Sequence, residues 1–386
     1  MKKVLEVINL SNSAMNFIGD QFSYMQENGD YEMHLICSPG KGIEEFSEKH
    51  RIHYFPVKIE RQLSPRKDLR TFVKIFNYIR KNKIDVLICH QEKSRLLGTL
   101  AGWLLSVPVR IIFAHGVLVD TMRGKKKKFY VAEGRLVSSM AHHVVCVSPS
   151  VQRRRLEEKM DQPAKQVVLG KGTCNGVDTK NHFNPANVFR KDIFDLQEQF
   201  GLQKDDFVVG FCGRIVRDKG IIELADAIKI LHERYPEKKI KLLIVGDPEK
   251  RDAVPCATIN FLKESPLVVF TGRVPYSRIQ NYYMLMDVFV LPSYREGFGQ
   301  VTIEANAMRV PAIVSKATGC VDSIKAGVSG IFTEIKPDAI ADAIEKFFDS
   351  AFALPIKQQC REYVVENFEH TIVRKNILDF LDSVTK

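Results

Sequence analysis

Short apolar runs of strand length alternate with helix-length segments along this chain, halt at a polar stretch, and then start again. The runs at residues 4–10, 31–37, 52–57, 84–90, 110–114, 144–148 and 166–169 read as strands, with helical periodicity at 69–81 and 93–105 between them. After the polar stretch 175–203, strand candidates recur at 207–212, 240–245, 267–271, 288–291, 312–314 and 330–333, with helices at 220–234 and 276–286. Near-continuous apolar strands separated by helices are buried on both faces, which is the signature of parallel sheets in α/β layers. The expected fold class is α/β: two Rossmann-like doubly wound domains facing across a central cleft, with ligands met at the carboxyl ends of strands. The expected boundaries are 1–185 for the first domain and 186–365 for the second. Two helical segments close the chain, near 337–349 and 370–384, and the terminal one (366–386) is expected to pack back toward the first domain.

Within this pattern one segment carries chemistry. The run Val288, Phe289, Val290, Leu291 leads into Glu296-Gly297-Phe298-Gly299-Gln300, and Glu304 follows in a helical stretch. Gly297 and Gly299 permit a tight bend and a close approach to a ligand. The helix start that follows offers unpaired N–H groups to an anion. On a helix, Thr302, Asn306 and Arg309 form one polar stripe, expected to face solvent, while Glu304 falls with Val301, Ala305 and Met308 on the inward side. An inward carboxylate is costly unless partnered. A ligand carrying both phosphates and hydroxyls suits a carboxylate beside an anion site. Upstream, Gly213-Arg214 and Lys219-Gly220 put two cations after a strand and beside a helix start, suited to a diphosphate.

Charge narrows the partners. The chain of 386 residues has a net charge of +11, yet residues 1–185 hold 30 Lys and Arg against 18 Asp and Glu, while the remainder is nearly neutral. Lys125, Lys126, Lys127 and Lys128 cannot share one helical face and are expected on a loop or helix start. Phe129 and Tyr130 follow directly, an order suited to an anionic membrane surface. Arg153, Arg154 and Arg155 form a second basic cluster. No base-reading motif or stacking pattern supports nucleic acid. No stretch reaches the length of a membrane span, and Glu6 interrupts what would be the apolar core of a signal peptide. Eight scattered cysteines without a C-x-x-C pair fit a reducing cytoplasm. A cytoplasmic protein, peripheral on the inner membrane face, is the expectation.

The ordered set Gly213-Arg214…Lys219-Gly220, Val245-Gly246-Asp247, Phe270-Thr271-Gly272-Arg273-Val274 and Pro292-Ser293-Tyr294-Arg295-Glu296-Gly297-Phe298-Gly299-Gln300…Glu304-Ala305 resembles the donor domain of retaining glycosyltransferases of family 4, as in bacterial capsule and surface-polysaccharide synthesis. Asn175-Gly176-Val177-Asp178 with Phe183 is similar to that family's linker segment. The resemblance implies the GT-B fold and transfer of a sugar from a nucleotide-diphosphate sugar, a UDP-sugar first, to a hydroxyl of a glycan or polyprenyl-diphosphate-linked sugar. It implies that Arg214 and Lys219 hold the diphosphate, Glu304 accepts both ribose hydroxyls, and Glu296 binds sugar hydroxyls. It also implies that Gly213 and the backbone of Gly297, Phe298 and Gly299 line the sugar and phosphate, with Arg273 and Val274 against the base. His115, after the strand at 110–114, matches the family's histidine beside the reacting sugar. His90 and Glu92 are secondary candidates on the acceptor side. Where many relatives have a Gly-Gly pair after the first strand, this chain has Ser11-Asn12-Ser13-Ala14-Met15-Asn16-Phe17. No Asp-x-Asp motif occurs, so no dedicated metal is expected, and no cofactor beyond the nucleotide sugar as co-substrate. A GT-B-type sugar-nucleotide epimerase and a noncatalytic sugar-nucleotide-binding module stay open as alternatives. A dehydrogenase is disfavoured, since no G-x-G-x-x-G follows the first strand.

Overall fold

A computed structural model describes residues 1–60 and 64–386. The chain forms two compact units, one of residues 1–176 with 371–386 and one of residues 177–370.

In the first unit the strands are β1 (Lys2–Leu10), β2 (Tyr31–Ser38), β3 (His53–Pro56), β4 (Val86–Cys89), β5 (Val109–Ala114), β6 (His143–Cys146) and β7 (Gln166–Val167). They form a parallel sheet in the order β3-β2-β1-β4-β5-β6-β7. All seven lie where the apolar runs put them. Alternation within β1 shows why the sheet must be covered on both sides. Val4 and Ile8 enter one buried apolar cluster, Leu5 and Val7 the other. The helix His370–Val384 adds Val373, Ile377, Leu378 and Leu381 to the first of these clusters. The loop after β1 continues as helical turns, Ser11–Ser13 and Ala14–Ile18, rather than as an open turn.

The second unit repeats the plan with β8 (Phe207–Cys212), β9 (Ile240–Val245), β10 (Val268–Gly272), β11 (Val288–Leu291), β12 (Ala312–Ser315) and β13 (Gly330–Thr333). Their order is β10-β9-β8-β11-β12-β13, again parallel. In each sheet the strand order reverses beside the first strand, between β1 and β4 and between β8 and β11. A doubly wound sheet opens a crevice at the carboxyl ends of such a pair.

Three expectations need correction. The stretch 175–203 is not a plain connection: it contains the helix Arg190–Phe200, whose polar composition hid it because only Leu196 is fully buried. Three helical segments, not two, close the chain, because the helix Ser350–Phe368 runs through Pro355, a residue that ordinarily argues against a helix interior. Finally, Thr302 and Asn306 do not face solvent. Both are fully buried, and Asn306 Nδ2 donates to the carbonyls of Val310 and Ser329 at 2.9 Å each. The helix Gln300–Ala307 is buried from Thr302 to Ala307, and the Asn306 amide nitrogen is satisfied internally, whereas Thr302 Oγ1 and Asn306 Oδ1 are buried without a partner among the described residues.

Candidate functional site

The second unit gathers its polar residues at the carboxyl ends of β8 to β11. The turn after β8 packs directly on Gly246, the residue after β9, where a Cβ would stand 1.9 Å from the Gly213 carbonyl oxygen. Gly220 (φ +68°) ends the turn Arg217–Lys219, and a Cβ there would meet the Pro292 carbonyl oxygen at 2.1 Å. That close approach brings Lys219 against the loop after β11. Its Nζ lies 2.5 Å from Glu296 Oε1, which also accepts from Ser293 Oγ at 2.9 Å. Lys219 and Glu296, expected to serve separate parts of a ligand, are joined as an ion pair. Arg214, more than half exposed, pairs with Glu249 Oε2 at 3.1 Å. Arg273 is exposed and Val274 half-buried just beyond β10.

Gly299 (φ +86°) caps the helix Gln300–Ala307. Among the described residues, the amides of Gly297, Phe298 and Gly299 have no acceptor within the protein. Phe298 is buried edge-on against Phe368, with ring centroids 5.1 Å apart, and so anchors the turn. Inside the helix, Glu304 is buried as expected from its inward position. Its Oε2 accepts from Tyr283 Oη at 3.0 Å, and Oε1 meets Tyr276 Oη at 3.5 Å. Burial pushes its carboxyl up to about 7, and the two hydroxyls hold it from rising further.

The first unit presents a different set. His90 follows β4 and His115 follows β5, and His90 Nδ1 lies 2.8 Å from His115 Nε2. Phe113 stacks on His90 at 5.0 Å. On the other side, His90 Nε2 is 3.3 Å from Oε2 of Glu6, a residue 1 % exposed in the middle of β1. Glu92 begins the helix Glu92–Leu104 and is exposed, so it does not join the histidine pair. Sequence reasoning used Glu6 only against a signal peptide. A single carboxylate within an otherwise apolar strand was the signal that could have marked it. Arg95, buried one helical turn further on, was likewise missed; Tyr130, Glu92 and Glu133 surround it.

Lys125, Lys126, Lys127 and Lys128 open the helix Gly124–Met140. Cations at that end oppose the helix dipole, so helix stability does not account for them. Lys127 pairs with Glu158 at 2.7 Å, whereas Lys125, Lys126 and Lys128 are exposed beside Phe129, itself 66 % exposed. In the Arg153-Arg154-Arg155 cluster, Arg153 is exposed and the other two are engaged in ion pairs. Arg155 is buried on Asp161 at 2.6 Å, and Arg154 bridges Asp120, Glu157 and Glu158.

Two groups have metal-like composition. In Glu32, His34 and His53, Oε1 of Glu32 is already shared by both imidazoles, at 3.0 and 3.3 Å, and by Lys3 Nζ at 3.8 Å. In Asp178, Glu369 and His370, the carboxylates are engaged by the N–H groups of Lys180, Asn181 and Thr179. In the second group, among the described residues, Glu369 Oε1 makes no hydrogen bond and lies 3.3 Å from His370 Nε2. Among the described residues no helix is long and apolar enough to cross a membrane.

Residues 20–180 match the family described as Glycosyltransferase Family 4, and residues 192–366 match Glycosyl transferases group 1. The capsular polysaccharide biosynthesis glycosyltransferase CapM of Staphylococcus aureus is 29% identical over 100% of this chain and 98% of its own length. An Escherichia coli protein named UDP-Gal:alpha-D-GlcNAc-diphosphoundecaprenol alpha-1,3-galactosyltransferase is 25% identical over 88% of this chain and 86% of its own. Among solved structures, Anabaena Alr3699/HepE in complex with UDP and glucose superposes with a TM-score of 0.79 at 19% identity, covering 99% of this chain and 100% of that one. A glycosyltransferase from Rickettsia africae gives the same TM-score at 20% identity, covering 100% and 99%. The paired sheets, the strand-end constellation and these matches make one assignment: the chain belongs to the GT-B glycosyltransferases, with a family 4 domain in its first half and a group 1 domain in its second.

Proposed function

We propose that this glycosyltransferase moves a sugar from a UDP-sugar to a hydroxyl of a polyprenyl-diphosphate-linked sugar, with retention at the anomeric carbon and without a metal, in surface-polysaccharide assembly. The observation that carries the proposal is the Lys219–Glu296 pair set against the open amides of Gly297, Phe298 and Gly299. A cation, a carboxylate and a row of free N–H groups suit a ligand bearing phosphates and hydroxyls together. In this reading Lys219 and Arg214 meet the diphosphate and neutralise the departing nucleotide, and Glu296 holds sugar hydroxyls. Glu304 accepts the ribose hydroxyls, and Arg273 and Val274 lie against the base. In the first unit His115 borders the reacting sugar. Support for a uridine nucleotide and a lipid-linked acceptor comes from the activity that names the Escherichia coli relative and from the ligand in the Anabaena structure. Lys125, Lys126 and Lys128 with Phe129 would hold the protein at an anionic membrane surface, where such an acceptor resides.

The test is a transfer assay with a panel of nucleotide sugars and a polyprenyl-diphosphate sugar, the product linkage read by NMR. Transfer from a UDP-sugar, with the donor's anomeric configuration kept and turnover unchanged by a chelator, is expected. Inversion would remove the retaining assignment, and a chelator-sensitive rate the metal-free one. Conversion of the nucleotide sugar alone into an epimer would replace the proposal with epimerisation.

A further inference from the structure

β1 carries one carboxylate among apolar neighbours, and that carboxylate ends against the two histidines. Glu6 and His90 are 1 % and 5 % exposed. Among the described residues, Glu6 Oε2 and His90 Nε2 are both buried without a well-aligned hydrogen bond, and they lie 3.3 Å apart, close enough for a small side-chain rotation to join them. His90 then contacts His115 through its other nitrogen at 2.8 Å. The three side chains therefore form a line: carboxyl, imidazole, imidazole. We infer that Glu6 is a positioning residue that sets, through His90, which nitrogen of His115 carries the proton.

The inference follows from counting protons along the line. An imidazole–imidazole hydrogen bond needs one donor and one acceptor. When a proton lies between Glu6 Oε2 and His90 Nε2, as the rotation that joins these two unpartnered atoms would place it, His90 Nδ1 bears a hydrogen and donates it to His115 Nε2. His115 is then protonated on Nδ1. This holds whether the shared proton rests on Glu6 Oε2 or on His90 Nε2. When that proton leaves, Glu6 becomes a carboxylate, His90 keeps its one hydrogen on Nε2 to face it, and His90 Nδ1 becomes an acceptor. His115 must then donate from Nε2. One proton lost at Glu6 moves the His115 hydrogen from Nδ1 to Nε2.

Burial pushes the Glu6 carboxyl up to about 8 and holds His90 and His115 down to about 3, so the line is neutral near pH 7. Other groups face it from each neighbouring element. Arg95 and Glu92 come from the helix Glu92–Leu104, Cys89 from β4, and Cys174 from the segment that ends the unit. Arg95 further disfavours charge on both imidazoles, while Glu92 partly offsets this at His115. Both thiols are pushed up to about 12 by burial and offer no competing proton in this range.

The bearing on turnover rests on the proposed place of His115 beside the reacting sugar, whereas the tautomer does not. The experiment is side-chain 15N NMR of the histidines in the intact protein, with His115 assigned by its loss in His115→Asn. In the unsubstituted protein the His115 proton is expected on Nδ1 at about pH 6 and on Nε2 at about pH 9.5, with the change near the Glu6 midpoint. Glu6→Gln should abolish the change, and Glu6→Leu, which replaces the acid by an apolar group of similar size, should abolish it as well. A single His115 tautomer across this range, or a change that persists in either variant, would overturn the inference. The kcat profile is a separate readout: its limb near pH 8 should vanish in Glu6→Gln. Undiminished turnover in His115→Ala would instead remove the proposed role of His115 and leave the tautomer result standing.

Discussion

Glu6 in the first unit and Glu304 in the second are both carboxyls sealed from water, yet their neighbours differ in kind. Glu6 faces an imidazole, with no hydroxyl or amide donor on the oxygen that meets it, and burial carries it up to about 8. Glu304 meets two tyrosine hydroxyls, and because both donate to the charged form it rises only to about 7. Burial alone makes a neutral acid; donated hydrogen bonds keep a buried acid within reach of ionisation. A carboxyl against a ring with two nitrogens can pass its protonation state onward. A carboxyl against hydroxyls can exchange one hydroxyl for another, and the 3.5 Å contact from Tyr276 to Oε1 is at the weak limit of hydrogen bonding. The first arrangement suits positioning, the second ligand recognition.

The largest effect should come from Lys219, where the second unit uses an ion pair rather than a neutral acid. Lys219→Ala is expected to lower turnover at least about 100-fold with the fold retained, in line with removing one well-placed electrostatic donor. Glu296→Ala should be costly as well, and the double variant no worse than about the poorer single, since the two act as one unit. Near-normal turnover in Lys219→Ala would reduce the pair to a structural bridge and break the contrast with Glu6. Circular dichroism and thermal melting of each variant separate lost chemistry from lost structure.

Glu304 gives a smaller effect with a defined pH dependence. Folding raises its pKa from 4.5 to about 7. The empty protein therefore binds this proton more tightly than the unfolded chain does, and the stabilisation is full below about 4.5 and lost as pH rises through about 7. Nucleotide binding has the opposite preference, because ribose hydroxyls donate to the carboxylate. Affinity for UDP, measured by calorimetry, should strengthen as pH rises through about 7 and weaken by up to about tenfold per unit below it. Glu304→Gln should bind roughly 10- to 100-fold more weakly, as expected for hydrogen bonds to a charged group, and its affinity should lose that limb. A pH-independent affinity in the unsubstituted protein would place the ribose elsewhere.

How far these sites were legible in the sequence follows from the same chemistry. The central strands were visible because a buried parallel strand must be apolar on both faces, the less buried β3, β7 and β10 showed as short apolar runs, and Glu304 was visible because helical periodicity places it inward. Periodicity failed one turn away. Thr302 and Asn306 look like a solvent stripe by residue type, and only the carbonyls of Val310 and Ser329, distant in sequence or beyond the helix end, make an inward Asn306 affordable. The helix Ser350–Phe368 was masked by Pro355 for a similar reason, since local propensity yields to packing of Ile356, Cys360 and Val364. The Lys219–Glu296 pair depends on a backbone approach of Gly220 to Pro292 across the sheet, which spacing along the chain does not encode. Glu6 stood in plain view, and its meaning appeared only when β1 and β4 paired.

The smallest effect concerns the excess of positive charge in the first half. Three of the four lysines that open the helix Gly124–Met140 are exposed, and Lys127 is already paired with Glu158. Each exposed cation near an anionic surface contributes about 1 kcal/mol, which is roughly a fivefold change in vesicle affinity. Lys125→Ala, Lys126→Ala and Lys128→Ala should each weaken flotation with phosphatidylglycerol vesicles by about that factor at low salt. Lys127→Ala should do less, because its charge is offset by Glu158 before any membrane approaches. The losses should shrink as salt shortens the Debye length toward about 8 Å at physiological ionic strength. Equal losses at all four positions would show that net charge alone governs binding. No loss at any would mean that the surplus charge serves solubility, and the acceptor would then be sought away from the membrane.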